Sequence, residues 1–389
     1  MIDIEQLAAR ATEELARLVA FDTTSRGSNL ELIVHVEALL GGLGVASRRV
    51  ASADGTKANL LATIGPDEAG GVVLSGHTDV VPVDGQAWTS DPFTLTRREG
   101  RLFGRGACDM KGFLALALSA APDFAAVGLK RPIHLAFSYD EEVGCLGAPD
   151  LIAEIARSVP RPSAIVVGEP TGMEAVSGHK GIATYKVTVR GHEAHSSQTH
   201  LGVSANMGAI RLMGSLSALA EQMTREADPA SPFTPKESTL TIGQIHGGTA
   251  VNILARECEF LFDLRTPPGL DPNAILAGFF GEAAAMDAAL KARFPDAGVE
   301  VARRSLTPAF SPEPDGAAEA LARRLAGDNG PARVVPYAAE AGQFQEAGYS
   351  VVICGPGFID QAHQPDEYVD IAQMQRGAAF MVRLAEALG

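Results

Sequence analysis

The sequence predicts an α/β protein with a mostly parallel central sheet flanked by helices, and with a smaller α+β domain inserted into it. Short apolar runs are separated by segments of helical periodicity, and this alternation is typical of a parallel sheet. Apolar runs of this kind are expected where a strand is buried on both faces. The clearest runs are Gly71–Ser75, Ile133–Ser138, Ala164–Val167 and Ser350–Cys354.

The remaining elements follow in chain order. Residues 1–18 have the amphipathic pattern of a helix, and another helix is predicted at Lys111–Ala121, between two of the strands. From about residue 180 the pattern changes to strands in which polar and apolar residues alternate. The elements predicted there are strand Gly181–Gly191, helix Val203–Met223, strands Ser238–His246 and Ile253–Arg265, helix Asp271–Phe294 and strand Val299–Arg304.

The order β-α-β-β-α-β of this middle region is that of a ferredoxin-like unit. Because the apolar run Ser350–Cys354 comes after it, we expect the unit to be inserted into the first domain. We predict a discontinuous first domain of residues 1–178 and 306–389, and an inserted second domain of residues 179–305. The chain of 389 residues is long enough to bury two cores without disulfide bonds.

Composition and charge exclude several classes of partner. The 32 basic and 47 acidic residues give a net charge of −15, so nucleic acid and anionic membranes are not expected partners. The most apolar stretch, Gly112–Gly128, contains Pro122 and Asp123 and does not predict a membrane span. The four cysteines form no C-x-x-C pair and the N-terminus has no signal-peptide pattern. These features predict a cytoplasmic protein with reduced thiols.

Residues that can bind metal follow each of the four apolar runs. His77 and Asp79 follow the first run, Glu141 and Glu142 the second, and Glu169 the third. His363 follows the fourth run after a Gly-Pro-Gly loop, and Asp109 lies just before the helix at Lys111–Ala121. In open α/β sheets, ligands bind beyond the carboxyl ends of the strands. The sequence therefore predicts a site at that edge of the sheet.

This set of side chains suits a pair of divalent cations. Imidazole and carboxylate ligands without a thiolate cluster fit zinc, cobalt or manganese. Two neighbouring cations repel each other and need a bridging carboxylate, which Asp109 could supply. The other four ligands, His77, Glu142, Glu169 and His363, then divide into one histidine and one glutamate for each cation. This leaves coordination positions open for water and substrate.

Two further acidic residues are predicted to assist the metal ligands. Successive side chains of a strand alternate in direction, so if Glu142 binds metal, Glu141 can remain free as a general base. Asp79 follows His77 by two residues and is expected to accept the second N–H of that histidine. By contrast, His134 lies within an apolar run and is interpreted as a packing residue.

Five segments of the chain resemble a known family. The segments GHTDVVPVDG, FGRGACDMKG, YDEEVGCLG, VVGEPT and AHQPDEYV are similar to those of the acetylornithine deacetylase, succinyl-diaminopimelate desuccinylase and carboxypeptidase group of co-catalytic zinc hydrolases. The resemblance implies a zinc-hydrolase domain with an inserted lid and dimerisation domain. It implies two Zn²⁺ ions per subunit, for which Co²⁺ can substitute, and a homodimer.

The resemblance also implies a role for each site residue. His77 and Glu169 resemble the ligands of one zinc, Glu142 and His363 those of the other, and Asp109 the bridge. Glu141 resembles the general acid and base, and Asp79 the residue that orients His77. In the inserted domain, His195 resembles a residue that stabilises the oxyanion, and Asn252 and Arg265 resemble residues that hold the substrate carboxylate.

Within this group, two features favour the acetylornithine deacetylase branch. Cys108 in ACDMKGF is one, and AAEAGQFQ at residues 338–345, with Ala339 in place of threonine, is the other. The expected activity is removal of the acetyl group from N2-acetyl-L-ornithine, as in arginine biosynthesis, giving acetate and L-ornithine. Glu340 in the second segment is expected to accept the side-chain ammonium of the substrate.

Other activities agree with the same residues. The chain could act on another N-acyl amino acid, as a succinyl-diaminopimelate desuccinylase or a general aminoacylase does, or on a dipeptide. It could also be a binding protein that holds metal on a hydrolase scaffold. The intact candidate base Glu141 argues against the binding protein, because a decayed site would be expected to lose its base first.

Overall fold

The computed structural model describes residues 2–389, which form two units. The first unit contains residues 2–178, Phe310–Val334 and Ala339–Gly389, and the second contains His179–Ala309 and Val335–Ala338. The fold-class prediction is confirmed, since the first unit is built on a mostly parallel sheet with helices.

The bounds of the elements are as follows. The strands are β1 Ser47–Ala51, β2 Ala58–Ile64, β3 Val72–His77, β4 Thr96–Arg98, β5 Arg101–Phe103, β6 Ile133–Ser138, β7 Ala164–Pro170, β8 Gly178–His179, β9 Gly181–Arg190, β10 Thr239–Gly247, β11 Glu257–Thr266, β12 Gly298–Thr307, β13 Val334–Val335, β14 Val351–Gly355 and β15 Tyr368–Asp370. The helices are α1 Ile4–Val19, α2 Leu30–Gly42, α3 Lys111–Ala126, α4 Ala148–Ser158, α5 Ala205–Arg225, α6 Pro272–Arg293, α7 Ala317–Ala326, α8 Ala341–Glu346 and α9 Ile371–Leu388.

The central sheet of the first unit has the strand order β1-β2-β6-β3-β7-β14. Strands β6, β3, β7 and β14 run parallel, and these are the four apolar runs of the sequence. The two strands at the other edge, β1 and β2, are antiparallel and were not predicted. Strand β1 has the sequence SRRVA and is largely exposed, so it lacks the apolar run that identifies a buried strand.

Helix α3 crosses the core of the first unit. The prediction ended it at Ala121, but it continues to Ala126 with Pro122 inside it. Proline removes one helical hydrogen bond, which normally ends a helix. Here α3 packs against both α1 and α9 and is buried along most of its length, so tertiary packing outweighs the local preference.

The second unit has an antiparallel sheet with the order β10-β11-β9-β12, and helices α5 and α6 pack on it. Its core contains alternate residues of the strands, such as Tyr185 and Phe262, together with Leu212 and Phe279 from the helices. The register pairs Ile182, near the start of β9, with Thr307 at the end of β12. The first and last strands of the unit are therefore neighbours.

Strand β11 begins at Glu257, four residues later than predicted. The residues before it form hydrogen bonds with a different segment, because the Leu254 N–H donates to the Ala194 carbonyl at 2.9 Å and the Ala205 N–H to the Ala255 carbonyl at 2.8 Å. Residues 253–256 therefore hold the loop that carries His195. No helix in residues 2–389 is long and apolar enough to cross a membrane.

The environment of His134 predicts how acid affects stability. His134 is fully buried on β6, its Nδ1 lies 2.9 Å from the Thr63 hydroxyl, and burial lowers its pKa to about 4. The unfolded chain has a histidine pKa of about 6.5, so it binds a proton between these values when the folded protein does not. Each unit of pH below about 6.5 should therefore cost about 1.4 kcal/mol of unfolding free energy, down to about pH 4.

The variant His134→Leu should lose this part of the pH dependence. Urea unfolding of both proteins, kept free of metal by a chelator, would be measured between pH 6.5 and 4.5. As the pH falls across that range, the unfolding free energy of the variant relative to that of the wild type should increase by roughly 2–3 kcal/mol. Parallel stability curves for the two proteins would show that folding does not lower the pKa of His134.

Candidate metal centre

The candidate ligands lie at the carboxyl ends of the parallel strands of the first unit. His77 is the last residue of β3, and Glu169 is the sixth residue of β7. Glu141 and Glu142 lie in the turn after β6, His363 lies in the loop after β14, and Asp109 lies just before α3. The parallel sheet therefore gathers side chains that are up to 286 residues apart in the chain.

Two glycines allow helix α3 to pack directly behind two of these ligands. Gly76 precedes His77, and a Cβ atom there would lie 2.6 Å from the Met110 side chain. Gly168 precedes Glu169, and a Cβ atom there would lie 2.1 Å from the Phe113 ring. Larger residues would push the strand ends away from the helix, so both ligands depend on this close approach.

The Asp109 carboxylate lies between the two histidines. Its Oδ1 atom is 2.9 Å from His77 Nε2, and its Oδ2 atom is 3.2 Å from His363 Nε2. His363 Nε2 is also 3.1 Å from Glu142 Oε2, and His77 Nε2 is 3.8 Å from Glu169 Oε1. One carboxylate thus directs each of its oxygens to a different histidine, as a bridging ligand does.

Ligand atoms converge within 4.8 Å in two groups of three among the described residues: His77, Glu141 and Glu169, and His77, Asp109 and Glu142. The Oε1 atoms of Glu142 and Glu169 are buried without a hydrogen-bond partner. Buried, unsatisfied carboxylate oxygens are costly unless a cation binds them. Asp109, Glu141, Glu142 and Glu169 together carry four negative charges when ionised. Two divalent cations would balance these charges, so the cluster fits two such ions.

Burial, together with repulsion between neighbouring carboxylates, raises the pKa values of the three glutamates of the cluster. Burial, with the neighbouring Asp109 charge, raises the pKa of Glu142 to about 7. Burial and nearby carboxylates also raise the pKa values of Glu141 and Glu169 well above the ordinary range. Hydrogen bonds with Asp109 and Glu142 raise the pKa of His363 to about 11. The cluster therefore attracts positive charge, in the form of protons or of metal cations.

The orientation of His77 differs in one respect from the prediction. Its Nδ1 atom lies 2.8 Å from the main-chain carbonyl of Asp79, but 3.6 Å from the nearer carboxylate oxygen of that residue. A carbonyl oxygen only accepts, so Nδ1 carries a hydrogen, and the neutral ring would offer the lone pair of Nε2 to a metal ion. The Asp79 main chain, rather than its carboxylate, therefore orients His77.

The Asp79 carboxylate instead holds the turn that carries Glu141 and Glu142. Its Oδ1 atom accepts the Glu141 N–H at 3.1 Å, and its Oδ2 atom accepts the Glu142 N–H at 3.3 Å and the Ser25 hydroxyl at 2.7 Å. Strand β6 ends at Ser138, so the alternation argument does not apply to these glutamates. The chain turns at Asp140, which has a left-handed φ of +56°, and the two glutamates that follow belong to different groups of converging ligand atoms.

One contact to the candidate base was not predicted. The Cys145 thiol donates to Glu141 Oε1 at 3.3 Å, four residues along the same turn. The sequence shows only that Cys145 follows Glu141 by four residues in YDEEVGCLG. Outside a helix, that spacing does not predict a contact between two side chains.

The substrate contact predicted for Glu340 is not supported. Glu340 is buried, and its carboxylate accepts hydrogen bonds from the Ser138 hydroxyl and, at 3.3 Å, from the Ser75 hydroxyl. These serines lie on β6 and β3, so the carboxylate is held against the sheet rather than offered to a ligand. The sequence showed a charged loop residue but not the two hydroxyls that enclose it.

The other three predicted site residues lie in the second unit. His195 and Ile253 form an isolated antiparallel bridge, and the Ser196 N–H donates to the Asn252 carbonyl at 3.0 Å, so His195 and Asn252 lie on adjoining segments. Arg265 is half-buried on β11, and its Nε atom is 3.6 Å from Asp263 Oδ1.

With this geometry established, comparison with known proteins gives the family. Residues 73–387 match the model of peptidase family M20/M25/M40. The chain belongs to this family. It is therefore a metal-binding hydrolase, and the relatives support a deacylase or peptidase role.

An acetylornithine deacetylase of Myxococcus xanthus is 36% identical over 388 residues, 97% of this chain and 96% of that protein. An acetylornithine deacetylase of Proteus mirabilis is 37% identical over 334 residues, 85% of this chain and 82% of that protein.

Solved structures of the family have the same fold at low sequence identity. A family M20 metallo-carboxypeptidase of Sulfolobus solfataricus has a TM-score of 0.77 at 16% identity, covering 97% of this chain and 98% of its own. A Bacillus subtilis protein, described as a dinuclear metal-binding peptidase of family M20, has a TM-score of 0.64 at 16% identity, with 99% of both chains covered.

The donor set predicts two tight equivalents of divalent cation per chain. The variant His363→Ala should keep one tight equivalent, because His77, Asp109 and Glu169 remain. Equilibrium dialysis against Zn²⁺ or Co²⁺, followed by metal analysis, measures the stoichiometry. His192→Ala is the matched control, since His192 pairs with the exposed Asp296 of the second unit. One equivalent in the wild type, or two in His363→Ala, would contradict the assignment.

Proposed function

We propose that this protein is an acetylornithine deacetylase, which hydrolyses N2-acetyl-L-ornithine to acetate and L-ornithine with two Zn²⁺ ions, for which Co²⁺ substitutes. The observation that carries the proposal is the Asp109 carboxylate between His77 and His363, with Glu141 on the adjoining turn. The names of the two bacterial relatives support the substrate. The Bacillus subtilis neighbour supports the number of metal ions.

Each metal position has its own residues in this proposal. His77 and Glu169 would hold one ion, Glu142 and His363 would hold the other, and the Asp109 carboxylate would serve both. Bound there, two divalent cations would supply Lewis acidity for the amide carbonyl and would make a water molecule acidic near neutral pH.

Glu141 is the residue proposed to move the proton. Its raised pKa suits a group that accepts a proton from the attacking water and then donates it to the leaving amine. The hydrogen bond from its own N–H to Asp79 and the one from the Cys145 thiol hold it in place. The side chain is half-buried rather than enclosed, which leaves it accessible to substrate.

His195 is proposed to donate a hydrogen bond to the oxyanion of the tetrahedral intermediate. Its Nδ1 atom accepts the main-chain N–H of Ser197 at 3.1 Å and lies 2.8 Å from the Ser197 hydroxyl. An N–H group can only donate, so the neutral ring carries its hydrogen on Nε2. The exposed ring therefore presents a donor, which is what oxyanion stabilisation requires.

Arg265, with Asn252, is proposed to bind the α-carboxylate of the substrate. The contact of Arg265 with Asp263 is longer than a hydrogen bond, at 3.6 Å. The guanidinium group is therefore not committed to Asp263, and its planar fork can form two parallel hydrogen bonds to a carboxylate.

A second copy of the chain is the proposed partner of the second unit. Strand β10 is an edge strand, and its residues 244–247 are exposed. Helix α5 exposes 67% of Met207 and 56% of Ile210. Exposed edges invite pairing with another strand, and exposed apolar side chains favour burial in an interface. Two copies of one edge can pair about a twofold axis, which favours a homodimer.

The proposed compartment is the cytoplasm.

The variant Glu141→Gln should lose turnover while it keeps its metal. The amide cannot accept the proton, and the expected loss in kcat is at least about 10²–10⁴-fold. Kinetics with N-acetylornithine and metal analysis on the same sample test this. Glu313→Gln is the control, because Glu313 is a half-buried carboxylate of the first unit that contacts Ser350 and Val351. Near-normal turnover in Glu141→Gln would exclude its role as the base.

The variant Arg265→Gln should lose activity towards substrates that have a free carboxylate and keep it towards those that lack one. We expect kcat/KM for N-acetylornithine to fall about 10–100-fold, the equivalent of about 1.5–3 kcal/mol for a charge-assisted hydrogen bond. The value for N-acetylornithine amide should change little. Equal losses on both would show that Arg265 does not bind the carboxylate. Wild-type preference for N-succinyl-diaminopimelate, or for a dipeptide, would overturn the proposed substrate.

The double variant Met207→Glu/Ile210→Glu should be monomeric in sedimentation, because charges at these positions oppose burial in an interface. Val34→Glu on α2 is the matched control and should leave the dimer intact, since Val34 is exposed to a similar extent, 51%. A wild type that is monomeric in sedimentation would overturn the proposed homodimer.

A further inference from the structure

A fully buried ion pair lies behind the bridging aspartate. Arg105 Nη1 is 2.6 Å from Glu367 Oε2, and the two side chains are 0% and 1% exposed. The other oxygen of Glu367, Oε1, accepts the main-chain N–H of Cys108 at 2.9 Å and that of Asp109 at 3.0 Å. One carboxylate therefore fixes the peptide groups that lead into Asp109.

Arg105 extends this contact to a second ligand loop. Its Nη2 group donates to the Gln86 side-chain oxygen, and Gln86 Nε2 donates to the main-chain carbonyl of His363 at 3.0 Å. The Trp88 ring lies 5.0 Å from the guanidinium carbon, and its N–H donates to the same Gln86 oxygen at 3.0 Å. His363 has a φ of +61°, a conformation that residues other than glycine rarely adopt without support from their surroundings.

Stability alone does not account for this pair. Burial of two charges is costly, and apolar residues of similar volume often replace such a pair without loss of stability. The hydrogen bonds of this pair, however, end on the main chain of two proposed metal ligands, Asp109 and, through Gln86, His363.

We propose that Glu367 and Arg105 are positioning residues that determine the affinity and geometry of the metal centre. Glu367 holds the main chain of the bridging Asp109, and Arg105 acts through Gln86 on His363. The inference rests on the two-metal part of the proposed function and not on its substrate.

The test is metal binding to the full chain. Glu367→Gln keeps an oxygen for the two N–H groups but removes the charge that pairs with Arg105. Because Asp109 touches both metal positions, the dissociation constants of both Zn²⁺ equivalents should rise about 10–100-fold, as found when residues behind metal ligands are changed. The visible absorption of the Co²⁺-substituted protein should change, because it reports ligand geometry.

Gln86→Leu separates the two halves of the proposal. It removes the link from Arg105 to His363 but leaves the bonds of Glu367 to the Cys108 and Asp109 N–H groups in place, so one Zn²⁺ equivalent should weaken while the other keeps its wild-type dissociation constant. Gln86 is half-buried and outside the ion pair, so this variant tests the proposal even if Glu367→Gln fails to fold. Wild-type affinity of both equivalents in Gln86→Leu would overturn the role of Arg105.

Asp328→Asn is the matched control. Asp328 is also a buried carboxylate of the first unit that accepts two N–H groups, from Ala175 at 3.0 Å and Gly330 at 2.8 Å, and it pairs with Arg333 at 2.8 Å. This variant should lose stability but keep both dissociation constants and the cobalt spectrum. If Glu367→Gln behaves in the same way, its role is only structural and the proposal is wrong.

These measurements use Zn²⁺ and Co²⁺ alone and no substrate. Their failure would therefore leave the deacetylase proposal standing. Conversely, a wild type that does not hydrolyse N-acetylornithine but shows the expected changes in metal affinity would overturn the substrate and leave the positioning roles intact.

Discussion

Repulsion between carboxylates at one edge of the central sheet is the constraint on which the first unit depends. Asp109, Glu141, Glu142 and Glu169 meet at one edge of the sheet, and burial together with their mutual charge raises the pKa values of the three glutamates. Because the carboxylates are largely withdrawn from water, cations or protons must balance this repulsion. The surrounding structure therefore has to hold the carboxylates together, and the turn bonded by Asp79 is one means of doing so.

The second means is close packing between the sheet and helix α3. The glycines before His77 and Glu169 bring the strand ends onto Met110 and Phe113 of that helix region. Because the packed interior resists compression, the ligands cannot move apart without moving the helix as well. The same helix begins two residues after Asp109, so the position of this residue is linked to the core.

Sequence patterns predicted the parts of the structure that depend on burial. The four parallel strands follow from apolar runs, and the grouping of the candidate ligands after them follows from the rule that ligands bind at strand ends. Strand β1 could not be predicted in this way, because an exposed edge strand needs no apolar run. The enclosure of Glu340 by Ser138 and Ser75 could not be predicted either, because it depends on contacts between residues 202 and 265 positions apart. The same holds for Glu367, whose partners lie 258 to 262 positions away.

The register of the second unit has a consequence for how the first unit folds. Ile182 and Thr307 are paired across neighbouring strands, so the two ends of this long insertion leave its sheet side by side. Closing a flexible loop costs entropy that grows with its length. Once the insertion has folded, its two ends are held as close together as two adjacent strands. Loop closure between the parts of the first unit on either side of it then costs less entropy. For the host sheet the insertion then behaves as a short loop, and strands β7 and β14 can pair although 180 residues separate them.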